Sequence, residues 1–137
     1  MSATVMIVDD SQMVRKQVAR TLIAAGFAVI EAQDGADALA QLSSATPGPA
    51  LIVLDVNMPN MGGIEFLQTL RGRGPELAIP PVVMLTTEGE PRLMQEAKAL
   101  GAKGWIVKPF KPEMLVAAVQ KLTQTAATTA AATAPKD

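Results

Sequence analysis

Residues 51–55 read Leu51-Ile52-Val53-Leu54-Asp55, four aliphatic residues in a row that stop at a carboxylate. A short apolar run without a polar interruption is the pattern of a strand buried on both faces. The pattern recurs at Val5-Met6-Ile7-Val8, which ends in Asp9-Asp10, and at Val82-Val83-Met84-Leu85, which ends in Thr86-Thr87. It recurs again at Trp105-Ile106-Val107, which ends in Lys108-Pro109. Phe27-Ala28-Val29-Ile30 reads as a fifth strand.

Between these runs the apolar residues change to helical spacing. Ser11 offers an N-cap, with Asp10 as the competing choice, and Val14, Val18, Leu22 and Ala25 follow it; Gly26 is a natural stop. Asp34-Gly35 marks a turn before a helix carrying Ala38, Leu39 and Leu42, closed by a loop from Ser43 to Pro49. A loop with Met58-Pro59 and Gly62-Gly63 precedes a third helix with Ile64, Leu67 and Leu70. Pro91 opens a fourth, with Met94, Ala97, Ala99 and Leu100 on its buried side and Gly101 at its end. Pro112 opens a fifth, striped by Met114, Leu115, Ala118, Val119 and Leu122. Alternating strands and amphipathic helices predict an α/β fold, a parallel sheet covered on both faces.

The chain has 137 residues, the size of about one domain on a prior of roughly 100–200 residues. That domain is expected over residues 1–122. From Thr123 to Ala134 every residue but Gln124 is Ala or Thr. Residues 123–137 are therefore expected to be a low-complexity tail, flexible or the start of a linker. Continuation of the last helix is the alternative, favoured by Ala and weakened by Thr. A tail of about 15 residues is too short to fold as an output domain, so output is expected through docking.

Composition excludes much chemistry. The chain has no Cys, His or Tyr, so it has no disulfide, no Cys/His zinc site and no Ser-His-Asp triad. Its net charge of −1 gives no reason to expect nucleic acid as a partner. No apolar run approaches the ~18 residues of a membrane helix, and the N-terminus lacks a signal-peptide pattern. A soluble cytoplasmic protein is expected.

In open α/β sheets, ligands bind outside the carboxyl ends of the strands. Here those ends carry Asp9, Asp10, Asp55, Thr86 and Lys108. Taken singly, each has an ordinary reading as a helix cap, a turn residue or a solvated surface group. Together they make an acidic pocket with one hydroxyl and one ammonium. Two unit charges ~4 Å apart cost about 4 kcal/mol at an effective dielectric near 20, so crowded carboxylates favour a cation. All-oxygen donors select a hard ion, Mg²⁺ with Mn²⁺ as a substitute. Lys108 and Thr86 suit phosphoryl oxygens, and Asp55 suits a carboxylate nucleophile that forms an aspartyl phosphate.

On Val8-Asp9-Asp10-Ser11, Leu54-Asp55-Val56-Asn57-Met58-Pro59, Gly62-Gly63, Leu85-Thr86-Thr87-Glu88 and Val107-Lys108-Pro109-Phe110, the chain resembles a response-regulator receiver domain of the single-domain CheY type. The resemblance covers roughly residues 3–122. It implies a doubly wound, flavodoxin-like (βα)5 fold with strand order 2-1-3-4-5. It implies that Asp55 accepts a phosphoryl group from phosphohistidine on a sensor histidine kinase. Asp10, Asp55 and the carbonyl of Asn57 would hold Mg²⁺, with Asp9 acting in the same pocket through water. Lys108 and Thr86 would contact the phosphoryl group, and Asn57 and Glu88 would flank the hydrolytic water. The Lys108-Pro109 peptide is expected to be cis, as only X–Pro bonds adopt that form cheaply. Thr86 would couple to Trp105, where Tyr or Phe is usual; Thr87 would narrow access to the site. The output surface would be the fourth helix, fifth strand and fifth helix, with Met94, Trp105 and Val107 on it. Partners would be a downstream protein such as a motor or motility component, and a phosphatase, with the protein itself a monomer.

Two rival readings are weaker. A hydrolase with an aspartyl-phosphate intermediate needs a second acid two positions after the nucleophile, and that position is Asn57. A scaffold that has lost the chemistry would not need all of Asp9, Asp10, Asp55, Thr86 and Lys108. An enzyme acting on a separate substrate is therefore not expected. Because these 137 residues include no His, the phosphohistidine donor is expected on another protein.

Overall fold

The computed structural model describes residues 3–44, 48–56, 58, 61–72, 80–86 and 91–130, the last few (124–130) as backbone only. Five strands and five helices alternate: β1 (Thr4–Val8), α1 (Gln12–Ala24), β2 (Ala28–Ala32), α2 (Gly35–Ser44), β3 (Leu51–Leu54), α3 (Gly63–Arg71), β4 (Val82–Thr86), α4 (Pro91–Ala99), β5 (Gly104–Val107) and α5 (Pro112–Ala130). The strands form one sheet in the order β2-β1-β3-β4-β5, and every pairing is parallel. This is the doubly wound, flavodoxin-like fold that the sequence predicts.

The apolar runs explain why. Val5 to Val8 and Leu51 to Leu54 are buried along their whole length, because the sheet has helices on both faces. Side chains alternate across a strand. Met6, Val8, Ile52, Leu54, Val82 and Met84 pack with Phe66, Leu67 and Ala97 on the α2–α4 side. Val5, Ile7, Leu51, Val53, Val83, Leu85 and Ile106 pack with Val18, Leu22, Leu115 and Val119 on the α1–α5 side. Two half-cores therefore share one sheet.

Local signals set the ends of the elements. The Ser11 hydroxyl accepts the Val14 N–H at 3.3 Å and caps α1. Gly26 closes α1 at φ +100°, a conformation that suits only glycine cheaply. The Phe27 N–H is spent on the Leu22 carbonyl at 3.0 Å, so β2 begins at Ala28 rather than at Phe27 as expected. The strand then runs through Glu31 to Ala32, further than its apolar run.

Other boundaries also move. Helix α2 extends to Ser44, where Ser43 and Ser44 hydroxyls donate to carbonyls one turn back, at Leu39 and Ala40. On α4 the buried side is Ala97 with half-buried Leu93, whereas Met94 is 38% exposed and not in the core. Met114 is likewise exposed, and Leu115 and Val119 carry the α5 stripe. The backbone of α5 runs to Ala130, past the expected domain end at residue 122, as the helix preference of Ala allows.

One glycine ties the sheet edge to its helix. A Cβ on Gly63 would run into the Asp55 carbonyl oxygen and come 3.0 Å from the Val56 Cα. The Gly63 N–H donates to the Val56 carbonyl at 2.9 Å. Only a residue without a side chain lets α3 start this close to the end of β3. Gly63→Ala is expected to lower unfolding free energy by about 1–3 kcal/mol, the range for overpacking against atoms that cannot yield. Urea unfolding followed by Trp105 fluorescence measures this; an unchanged midpoint would show that α3 can shift without cost.

Candidate functional site

The carboxyl edge of the sheet collects the predicted groups. Asp9 directly follows β1, Asp55 follows β3, Thr86 ends β4 and Lys108 follows β5. Asp9 and Asp55 are 2% and 5% exposed, and Thr86 is fully buried. Asp10 is exposed at the mouth. One carboxylate oxygen from each of Asp9, Asp10 and Asp55 lies within 4.8 Å of the others.

Asp9 is held on all sides. Its N–H donates to the Ala32 carbonyl at 3.1 Å, which extends the β1–β2 ladder by one bond. Its Oδ1 accepts the Ser11 N–H at 2.9 Å. Its Oδ2 accepts from Lys108 Nζ at 3.0 Å. The same ammonium stands 3.6 Å from Asp55 Oδ1. Lys108 thus partly neutralises two buried carboxylates, which would otherwise repel strongly at this depth. The Lys108 N–H donates to the Thr86 carbonyl at 2.6 Å, so the lysine backbone is tied to the end of β4. The Lys108-Pro109 peptide is cis, as expected.

The donor set fits a hard divalent ion. Three carboxylates converge, only oxygen is offered, and one of the three faces solvent, leaving room for water or phosphate oxygens. A single ammonium shared between Asp9 and Asp55 leaves the cluster with net negative charge. Asp9, Asp10 and Asp55 are the side chains that would hold such an ion.

Beside the site, Thr86 and Trp105 share one face of the sheet. Thr86 has the strand parity of Val82 and Met84, and Met84 pairs with Trp105 while Thr86 pairs with Val107. Trp105 packs against the α2–α4 half-core, yet its buried indole Nε1 has no hydrogen-bond partner among the described residues. It lines a cleft of about 450 Å³ with Pro91, Met94, Lys98 and Lys103. Met94 is 38% exposed in that cleft, and Val107, outside its lining, is 46% exposed. Asn57, Pro59, Thr87 and Glu88 lie outside the described residues. Arg15 and Glu31 escaped the sequence reading. Arg15 Nη1 donates to the Asp9 carbonyl at 2.7 Å, and its Nε donates to Glu31 Oε1 at 3.1 Å. A lone Glu in an otherwise apolar strand, with Arg on the preceding helix, was the available signal.

A parallel α/β sheet with an acid-lined carboxyl edge and a lysine over it defines a phosphorylation-switch type of signalling domain. The chain belongs to the response regulator receiver domain family, whose profile matches residues 5–120. It is similar to the phosphate regulon transcriptional regulatory protein PhoB of Escherichia coli K12, at 37% identity over 120 residues. That match covers 88% of this chain and 51% of the relative, so the chain spans about half the length of the curated relatives it matches. Among solved structures it is similar to the Vibrio cholerae chemotaxis protein CheY4, at 44% identity and a TM-score of 0.80, covering 89% of this chain and 99% of that one. A receiver domain of a signal transduction histidine kinase from Syntrophus aciditrophicus matches at 31% identity and a TM-score of 0.80, covering 90% and 92%. Receiver domains accept a phosphoryl group from histidine kinases in two-component systems, and this is a signalling domain rather than an enzyme. Among the described residues no helix is long and apolar enough to cross a membrane.

The pocket's charge gives a prediction of opposite sign in two conditions. Saturating Mg²⁺ should stabilise the protein, by about 2.7 kcal/mol at a hundred times its dissociation constant. Asp10→Asn should remove most of that gain while raising Tm in EDTA, because it relieves repulsion without unpairing a buried group. Thermal unfolding with and without Mg²⁺ reads both effects. Equal Mg²⁺ gains in the two proteins would exclude Asp10 as a ligand.

Proposed function

We propose that the protein is a phosphorylation-activated switch in which Asp55 is the phosphoryl acceptor. The observation that carries this reading is the placement of buried Asp55 within 4.8 Å of two further carboxylates, with Lys108 Nζ 3.6 Å from its Oδ1. In the reaction a carboxylate oxygen of Asp55 attacks phosphorus of a phosphohistidine on the kinase. The P–N bond breaks, and its electron pair returns to the imidazole, which takes a proton from water. Hydrolysis later restores the carboxylate and releases inorganic phosphate. Asp10 and Asp55 would hold Mg²⁺, with Asp9 acting in the same pocket through water, and the bound ion would supply charge neutralisation at the phosphoryl oxygens.

The protein's own residues do the rest. Lys108 leaves Asp9 and pairs with a phosphoryl oxygen, since the new dianionic group outbids a carboxylate already bonded to the Ser11 N–H. Thr86 gives a hydroxyl to another oxygen, and its shift opens space beside Trp105 on the same sheet face. By resemblance to the family, Asn57 and Glu88 would act on the hydrolytic water. The face of α4, β5 and α5 then changes its affinity for a protein partner, with Met94, Trp105 and Val107 on it. This is a population shift between two arrangements. The similarity to a chemotaxis protein that is covered almost end to end favours output by docking, in chemotaxis or motility. Residues 1–122 form the switch, and 123–137 lie outside it.

A small acyl phosphate with Mg²⁺ should add one phosphoryl group to the intact protein, as read by mass, with a concurrent change in Trp105 fluorescence. Asp55→Asn should abolish both. The phosphorylated form should decay in seconds to minutes, because polar Asn57 and Glu88 suit water delivery. Absence of any mass gain in the native protein would end this reading, and a lifetime of many hours would remove the role given to Asn57 and Glu88.

A further inference from the structure

The geometry points to Arg15 as a positioning residue for the acidic pocket: it fixes the Asp9–Asp10 peptide and thereby aims Asp10 at Asp55. The inference rests on the cation-binding reading of that pocket. It starts from a contrast between two neighbouring aspartates. Asp9 has its N–H, its carbonyl and both carboxylate oxygens in hydrogen bonds. The Asp10 carboxylate has no hydrogen bond among the described residues, although it lies with those of Asp9 and Asp55. Its direction must therefore come from the backbone that carries it, and the peptide plane entering Asp10 is the one whose carbonyl belongs to Asp9.

Arg15 holds that carbonyl at 2.7 Å, the shortest contact its side chain makes. The guanidinium is itself held, since its Nε donates to Glu31 Oε1 at 3.1 Å on β2. The Arg15 N–H to Ser11 carbonyl bond, at 3.0 Å, is the first regular bond of α1, so the hold of Arg15 on the Asp9–Ser11 turn, at the Asp9 carbonyl, comes from its side chain alone. The planar fork of arginine makes two such bonds in fixed directions; a lysine ammonium is a point charge and does not. The Arg15 side chain is 15% exposed and that of Glu31 26%. A solvated decoration would be far more open. Lys16 also reaches Glu31, at 3.1 Å, but does not touch the turn, and it is 54% exposed.

Charge and geometry predict opposite results for the arginine. A cation near the pocket opposes a second cation, so a role through charge means that its removal tightens metal binding. A role through positioning means that its removal weakens binding, because Asp10 then samples other directions. Glu31 neutralises Arg15, which leaves rigidity as the main contribution.

Isothermal titration of the metal-free full chain with Mg²⁺ decides between them, using Arg15→Met, Arg15→Lys and Lys16→Met. Loss of an outer partner of a ligand typically weakens metal affinity by about 10-fold or more, which is the expectation for R15M. R15K keeps the charge but loses the fork, and should be weakened several-fold. K16M should bind like the native protein, though both R15M and K16M lose a Glu31 contact and should lower the urea midpoint. That separates positioning from a general cross-link between α1 and β2. Native-like affinity in both Arg15 variants, or tighter binding in R15M, overturns the inference and leaves the pocket reading intact. If the native protein shows no saturable Mg²⁺ binding, the pocket reading fails and the inference falls with it.

Discussion

Lys108 and Asp9 are 99 positions apart, and their 3.0 Å ion pair spans the carboxyl edge of the sheet. Three strand steps separate β5 from β1, about 14 Å at the usual spacing. The lysine stem, the aspartate and the contact between them together cover that gap, passing over the ends of β3 and β4. Asp55 sits beneath this span, which is why the ammonium also reaches it. The pair requires β1 and β5 to run parallel and end at the same edge, as they do in the order β2-β1-β3-β4-β5. An antiparallel β5 would send Lys108 to the opposite edge. The site is thus a readout of the topology, and the topology depends on the apolar runs that bury both faces of the sheet.

The same runs made the fold readable in advance. Strands buried on both faces leave an unbroken aliphatic record, as at Leu51–Leu54, and the chemical groups follow immediately after it. What stayed hidden was local bonding that overrides composition. Glu31 sits inside β2 because Arg15 and Lys16 meet its carboxylate, a contact between distant residues that periodicity does not encode. Ser43 and Ser44 looked like loop residues, yet their hydroxyls fold back onto the helix. Met94 and Leu93 differ by one position on α4, a rotation of about 100°, and only packing decides which faces inward. Within the site, Asp9, Asp10, Asp55, Thr86 and Lys108 were legible as strand ends. The clamp on the Asp9 carbonyl was not, because its acceptor is backbone and leaves no mark in the sequence.

The two half-cores divide the labour. The α1–α5 side carries the strand parity of Asp9, Asp55 and Lys108, whereas Thr86 and Trp105 belong to the α2–α4 side. In the proposed switch, a change at the carboxylates would reach the outer surface by passing through the sheet at Thr86. Packed interiors transmit such a displacement because they have little free volume to absorb it. The indole N–H of Trp105, which has no hydrogen-bond partner among the described residues, lies on the same side of the sheet.

Glu31 has a second consequence, beyond the clamp. Strand β2 is an edge of the sheet, and an edge strand offers unpaired backbone groups to any passing strand. A stretch reading Ala28-Val29-Ile30 would be a good template for such intermolecular growth. Glu31 follows it directly and places a charge on the strand, turned towards α1 and fixed there by two cations. A foreign strand docking alongside would have to accommodate that ionic cluster. A charge on an edge strand is one of the features that make such an edge a poorer template for a foreign strand.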